Sequence, residues 1–246
     1  MKNTVDILGV RFSPFGVEES AEYILNLTQE DKFHYVFTPN SEMVMAAVKD
    51  KEFENILNSA DLLTADGIGI IYASKILGRP IGERASGYDI SLKLIEKMTS
   101  LGKTLYLFGA APGVAEKARE NLETKFSGIK IVGIHDGYFD DEEEKRIIED
   151  INLKKPDVLF VCLGCPKQEK WIFNNKDNLN AKVAMGLGGC LDVYAGNVKR
   201  APDIYIKLGL EWFYRLMKEP KRFFRMLALP KFMIMVICHK ITKKGV

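Results

Sequence analysis

Short apolar runs that recur between stretches of helical periodicity constrain this chain more than any other feature. KTLYLFGA (103–110), PDVLFVCLG (156–164) and AKVAMGLGG (181–189) are nearly all apolar at their centres and end in small residues. Between them, apolar residues return at the three- and four-residue spacing of a helix. A strand that is apolar on both of its faces is buried on both, the situation of a parallel sheet layered between helices. FHYVFTPN (33–40), DLLTADG (61–67) and KIVGIHDGYF (130–139) read as further strands, and DILGVRFSPFG (6–16) as a hairpin. Helices are expected at 41–60, 68–78, 87–102, 112–128, 140–155 and 166–179. The predicted fold is α/β: a Rossmann-like, mainly parallel sheet with helices on both faces, followed by a basic helical appendage.

That appendage emerges from a charge partition that the total hides. The whole chain carries +2, yet residues 196–246 hold 12 lysines and arginines against 3 acids, or +9, which leaves −7 on residues 1–195. The sheet pattern stops at YAGNVKRAPD (194–203), where Gly196, Asn197 and Pro202 punctuate the chain. Two parts are therefore expected, a Rossmann-like domain over 1–195 and an amphipathic C-terminal appendage over 196–246. From 203 to 218, Lys207, Glu211, Arg215 and Lys218 form one narrow charged stripe on an otherwise apolar helix. Pro220 suits a first helical turn, and Pro230 is expected to break the helix in the last stretch of the chain.

KRFFRMLALPKF (221–232) interleaves cations with aromatic and apolar side chains, which suits an anionic membrane surface rather than nucleic acid. A helix packed on the body with its polar stripe in solvent is the plainer reading of the same pattern. The run FMIMVIC (232–238) is far short of the roughly 18–20 apolar residues needed to span a bilayer, so membrane contact means lying on the surface. Off the membrane, such a tail can find cover between subunits. At the other end, MKNTVDILGVRF places Asp6 inside its apolar stretch and has no small-residue cleavage pattern, so no signal peptide is read there. Cys162, Cys165, Cys190 and Cys238 are too few for a disulfide scaffold, and the expected setting is cytoplasmic with reduced thiols.

In open parallel sheets, ligands sit outside the carboxyl ends of the strands. The segments delivered there are TPN (38–40), TADG (64–67), FGAAPG (108–113), HDGYFDD (135–141), LGCPKQE (163–169) and GLGGCLD (186–192). In FGAAPG, Gly109 and Gly113 would let backbone approach a ligand at a helix N-terminus, and a plain strand-to-helix turn explains them equally. The glycine spacing is not G-x-G-x-x-G, which argues against a dinucleotide cofactor. Asp66 is placed either to cap the next helix or to act as a general base toward a substrate hydroxyl. Gln168 carries an amide suited to sugar hydroxyls. The C-x-x-C of Cys162 and Cys165 has no second half-site, so it reads as structural rather than as a metal pair. FDDEEE (139–144) favours a helix start through the dipole. No D-x-D occurs, and neither a metal nor a cofactor is expected.

Taken together and in order, TPNSEM (38–43), ADGIGI (65–70), GERASGYD (82–89), FGAAPG, GYF (137–139), LGCPKQEKWI (163–172), GLGGCLDVYAG (186–196) and KRAP (199–202) resemble the WecG/TagA/CpsF family of bacterial glycosyltransferases. The resemblance implies a metal-independent, inverting transferase that moves N-acetylmannosamine from UDP-N-acetylmannosamine to GlcNAc carried on undecaprenyl diphosphate. The branch with this basic, aromatic tail is similar to the enzymes of wall teichoic acid linkage-unit synthesis, working at the inner face of the cytoplasmic membrane. The family's proposed base maps onto Asp66 and its pocket residues onto Thr38, Asn40, Arg84 and Gln168. Gly109, Gly113 and Gly188 then fall to the nucleotide. With no metal motif, leaving-group charge must be met by helix ends and cations, and the tail offers Arg215, Arg222 and Arg225. Beside this reading stand a related UDP-sugar transferase of exopolysaccharide or enterobacterial antigen synthesis, and a nucleotide-dependent oxidoreductase.

Overall fold

The computed structural model describes residues 4–218, 223 and 227–244. Its centre is a six-stranded, wholly parallel sheet in the order β4-β3-β8-β7-β5-β6. The strands are β3 (His34–Phe37), β4 (Leu62–Leu63), β5 (Thr104–Gly109), β6 (Lys130–His135), β7 (Val158–Cys162) and β8 (Val183–Gly186). The separate hairpin of β1 (Val5–Ile7) and β2 (Val10–Phe12) turns through Leu8 and Gly9, both at positive φ. Around the sheet lie α1 (Val17–Leu27), α2 (Ser41–Ala47), α3 (Lys51–Asn58), α4 (Ile68–Ile76), α5 (Gly87–Leu101), α6 (Val114–Lys125), α7 (Asp141–Lys154), α8 (Lys167–Asn175) and α9 (Cys190–Tyr194).

The doubly apolar strands do what their composition demands. In β5, Leu105 and Leu107 enter one hydrophobic cluster with Leu94 and Phe160, while Tyr106 and Phe108 enter a second with Phe37 and Trp171. One strand therefore serves two cores, one on each face of the sheet. The acidic run starts α7 as its composition suggests: Asp140 caps it through Glu142 and Glu143 N–H groups, and four acids fill the first turn.

Three expectations need correction. The single helix over 41–60 is two, because the Asp50 side chain accepts from Phe53 N–H and restarts the chain as α3. The continuous helix over 203–218 is also two, α10 (Asp203–Lys207) and α11 (Glu211–Lys218), separated by Gly209 at φ +70°. Pro230 does not break its helix. It is the third residue of α12 (Ala228–Lys244), where its missing N–H has no intrahelical partner to lose. Pro220 lies outside the described residues.

Helix α12 folds back onto the body and packs against α2 and α4. Phe232 and Val236, one turn apart, are fully buried in the second cluster, and Met233 and Met235 pack at its edge. The opposite side of the same helix carries exposed Ile234, Ile237 and Ile241. Exposed Ile204, Leu208, Phe213, Met217 and Phe223 precede them in the chain. Among the described residues, no helix is long and apolar enough to cross a membrane.

Candidate functional site

The sheet's carboxyl edge presents β4, β3, β8, β7, β5 and β6 in a row, about 24 Å wide at roughly 4.8 Å per strand. Its β4 end is polar and tightly built. Ala85 N–H donates to Ala65 O (3.0 Å) and the Thr64 hydroxyl to Ala85 O (3.1 Å), so the loop before α5 runs alongside the end of β4. This pairing sets Arg84 beside Asp66. Asp66 N–H in turn reaches Pro39 O (3.2 Å), which ties the β4 loop to the β3 loop. The cap of α4 is Gly67, at φ +101°, with no side-chain cap bond, so Asp66 is not the N-cap residue. Of its two readings, the capping one falls.

Arg84 is largely buried and gathers carboxylates. Its Nη1 donates to Glu211 Oε2 (2.7 Å) and its Nη2 to Asp89 Oδ2 (3.1 Å). Burial opposes the guanidinium charge, but Asp66, Glu211 and Asp89 more than offset it and hold Arg84 above its ordinary value. Asp89 also takes the Ser86 hydroxyl (2.5 Å) at the start of α5 and Arg200 (2.7 Å), whose guanidinium lies over the Tyr88 ring. One carboxylate thus joins the α5 start, Arg84 and the linker arginine. Glu211, read from the sequence as part of a solvent-facing stripe, is instead a partner of Arg84. Sequence spacing placed it on a charged helix face, but only the tertiary fold brings that face to the edge.

The remaining pocket candidates spread along the row. Thr38 follows β3, and a Cβ on Gly87 would meet its hydroxyl at 2.9 Å, so the bare Gly87 lets α5 begin against it. Asn40 has a structural task as well: its Oδ1 caps α2 by accepting from Glu42 N (2.9 Å) and Met43 N (3.1 Å). Gln168 is only 4% exposed, at the start of α8. Its Oε1 accepts Gly188 N–H (2.9 Å) and its Nε2 donates to Glu169 Oε1 (2.6 Å). The Gly188 N–H is therefore directed at a protein amide, with Gly188 at φ +56°.

At the β5 end, Gly109 has φ +126°, and a Cβ there would lie 2.3 Å from Cys162 O; only glycine lets these strand ends pass. Gly113 stands at the N-cap of α6 with open space around its missing side chain. Beyond them opens a cleft of about 590 Å³, lined by Ala110, Ala111, Gly137, Tyr138, Lys167 and Asp192 among others. Lys167 Nζ donates to Gly137 O (3.2 Å) and stands 4.3 Å over the Phe139 ring, while Tyr138 is 72% exposed. Sequence reasoning did not single out Tyr138 or Asp192. Their signal was positional: each stands directly after a strand or turn already known to reach this edge.

The tail reaches the same edge. A Cβ on Gly69 would lie 2.7 Å from Leu229 of α12, and one on Gly209 would lie 2.9 Å from Ile68. Both contacts fall on the first turn of α4, the helix that begins beside Asp66. Arg215 belongs to α11. Arg222 and Arg225 lie outside the described residues.

Known proteins add a consistent result. The family model for glycosyl transferases of the WecG/TagA/CpsF family matches residues 5–245. A Bacillus spizizenii protein named N-acetylglucosaminyldiphosphoundecaprenol N-acetyl-beta-D-mannosaminyltransferase is 36% identical over 238 residues, covering 97% of this chain and 90% of its own. Proteins of the same name from Bacillus subtilis and Staphylococcus aureus are 37% and 35% identical, covering 85% and 97% of this chain and 81% and 92% of theirs.

Proposed function

This chain belongs to the glycosyl transferase WecG/TagA/CpsF family, and from that premise we propose that it transfers N-acetylmannosamine from UDP-N-acetylmannosamine to GlcNAc on undecaprenyl diphosphate, inverting the anomeric centre. In this reading it acts in building the wall teichoic acid linkage unit, lying on the inner face of the membrane. The observation that carries the proposal is that the α4 start beside Asp66 is also where the tail lands. A substrate with a diphosphate sugar at one end and a polyprenyl chain at the other needs the polar edge and the lipid surface to be neighbours. Exposed Ile234, Ile237 and Ile241 support a helix with one side in the core and the other toward lipid.

The chemistry follows from the row. An acceptor hydroxyl is a weak nucleophile at neutral pH, so Asp66 takes its proton as the new bond to the anomeric carbon forms, a contribution of about 10²–10⁴ in rate. Thr38 and Asn40 hold sugar hydroxyls, buried Gln168 backs the Gly186–Gly188 turn that lines the same site, and Arg84 fixes the charge beside Asp66. The cleft at β5 and β6 takes the nucleoside, with the exposed Tyr138 ring as a stacking face and Asp192 as a hydrogen-bond acceptor. Departing UDP gains negative charge, which the α6 N-terminus at Gly113, Lys167 and the tail arginines Arg215, Arg222 and Arg225 offset.

The direct test is a transfer assay with purified full-length protein, a short-chain prenyl-diphosphate GlcNAc acceptor and a panel of UDP sugars. Transfer from UDP-N-acetylmannosamine well above the other donors, with an inverted product and a rate unchanged by EDTA, is the expected result. Preference for another UDP sugar would move the chain to a different branch of the family. No transfer from any donor would overturn the proposal.

A further inference from the structure

Glu169 is a buried acid for which the mechanism above has no use. It lies in the first turn of α8, is 0% exposed, and has no ion-pair partner among the described residues. One carboxyl oxygen, Oε1, accepts the Gln168 amide at 2.6 Å; the other, Oε2, has no hydrogen-bond partner among the described residues. The Cys165 thiol also reaches the carboxyl, and burial pushes the pKa of Glu169 up to about 7. A side chain wanted only for packing would not be an acid, because a buried carboxyl without full compensation destabilises the fold.

Its neighbour explains it. A glutamine amide fits a slot in two orientations that differ only by exchange of oxygen and nitrogen. Here one side of the slot is Gly188 N–H, a donor, and the other is Glu169 Oε1, an acceptor. The observed orientation satisfies both. The flipped one sets donor against donor and oxygen against oxygen. The slot is also tight, since a Cβ on Gly186 would lie 3.0 Å from Gln168 Nε2 and 3.1 Å from Phe37.

We propose that Glu169 is a positioning residue for sugar transfer: its carboxyl fixes the orientation of the Gln168 amide, and Gln168 thereby holds the Gly186–Gly188 turn after β8 in the shape that the substrate meets. This rests on the function proposed above, in which Gln168 and this turn line the transfer site. The relay runs through hydrogen bonds alone, from the α8 start directly to the turn after β8, and needs no contact between Glu169 and substrate.

The test uses the full-length protein with Glu169→Gln, Gln168→Ala, the double variant, and the exchanged pair Gln168→Glu with Glu169→Gln. Glu169→Gln is nearly isosteric but can present a donor where an acceptor is required. It is expected to lower kcat by about 10- to 100-fold with a KM change below about threefold. In the Gln168→Ala background the same substitution is expected to cost less than about threefold, because the group it orients is gone. Losses that multiply in the double variant would overturn the proposal. A second readout needs no activity: hydrogen exchange of the Gly188 amide, expected to speed up at least tenfold in Glu169→Gln and to recover in the exchanged pair, which restores an acceptor for Gly188 N–H. Unchanged exchange in Glu169→Gln would also overturn it. If the protein transfers no sugar at all, the function falls, while the exchange measurement still decides whether Glu169 controls the turn.

Discussion

Two carboxylates on opposite edges of one sheet, Asp157 and Glu169, are held in opposite ways. At the amino edge, Asp157 accepts Lys103 Nζ (2.8 Å), Thr104 N–H (2.8 Å) and the Thr104 hydroxyl (2.9 Å), locking β5 to β7 where both begin. Nearby, Asp61 accepts Tyr35 N–H (3.0 Å) at the start of β3. Burial works against the Asp157 charge, but Lys103 and the two Thr104 donors more than offset it and hold the pKa below the usual carboxylate range. At the carboxyl edge, Glu169 is pushed the other way by burial. An acid that serves only to fasten strands can be given all its partners. Glu169 is held with one carboxyl oxygen unmatched among the described residues, the kind of setting that the proposed positioning role calls for.

The largest expected effect comes from Asp66→Asn, which should cost about 10²–10⁴ in kcat while leaving the melting temperature nearly unchanged. A fully active variant would remove the main reason for calling this edge the active one. Next is a pH comparison of stability. Glu169 sits near 7 when folded and returns toward 4.5 when unfolded, so the unfolded chain gives up this proton first as pH rises. The stability that its protonated form supports is fully present below about 4.5 and is lost as pH climbs through 7. At about 1.4 kcal/mol per unit, the loss is on the order of 3 kcal/mol, and urea melts should show the parent losing about that much stability relative to Glu169→Gln between pH 5 and pH 8.

Asp157→Ala sharpens the other side of the contrast. It strands the Thr104 N–H and Lys103, which should cost about 1–3 kcal/mol at neutral pH with KM unaltered. Because the folded pKa of Asp157 is depressed, its contribution is present above the unfolded value and fades as pH falls through the folded one, the reverse of Glu169. At the small end, Lys97→Ala removes exposed pairs with Glu18 and Glu22 and should leave both melting temperature and rate where they were.

The fold was largely legible because its signals are local. Apolar runs such as VLFVC announce strands buried on both faces, and helical spacing between them fills in the rest. The misplaced boundaries had local causes that a broad reading passed over: an aspartate able to cap at 50, a glycine able to turn left-handed at 209, and a proline three residues into a helix. Placement at the carboxyl edge was legible where chain direction alone brings a residue there, as with Asp66 and Gln168. It was not legible where meaning depends on two distant segments meeting. Nothing in the spacing of Glu211 connects it with Arg84, and nothing in CPKQE reveals that the glutamine leans on the glutamate beside it.

The strand order carries a consequence for how the molecule is made. β8 is the last strand among the described residues, yet it lies between β3 and β7 at the middle of the sheet. Until residues 183–186 leave the ribosome, the nascent protein can form only two partial sheets, β4-β3 and β7-β5-β6, each with an open apolar border. His34 pairs with Val183 across nearly the whole body of the chain, a contact whose loop must close late and slowly. For most of its synthesis this protein should therefore be a client for chaperones that shield bare strand borders, and fragments ending before β8 should aggregate rather than fold.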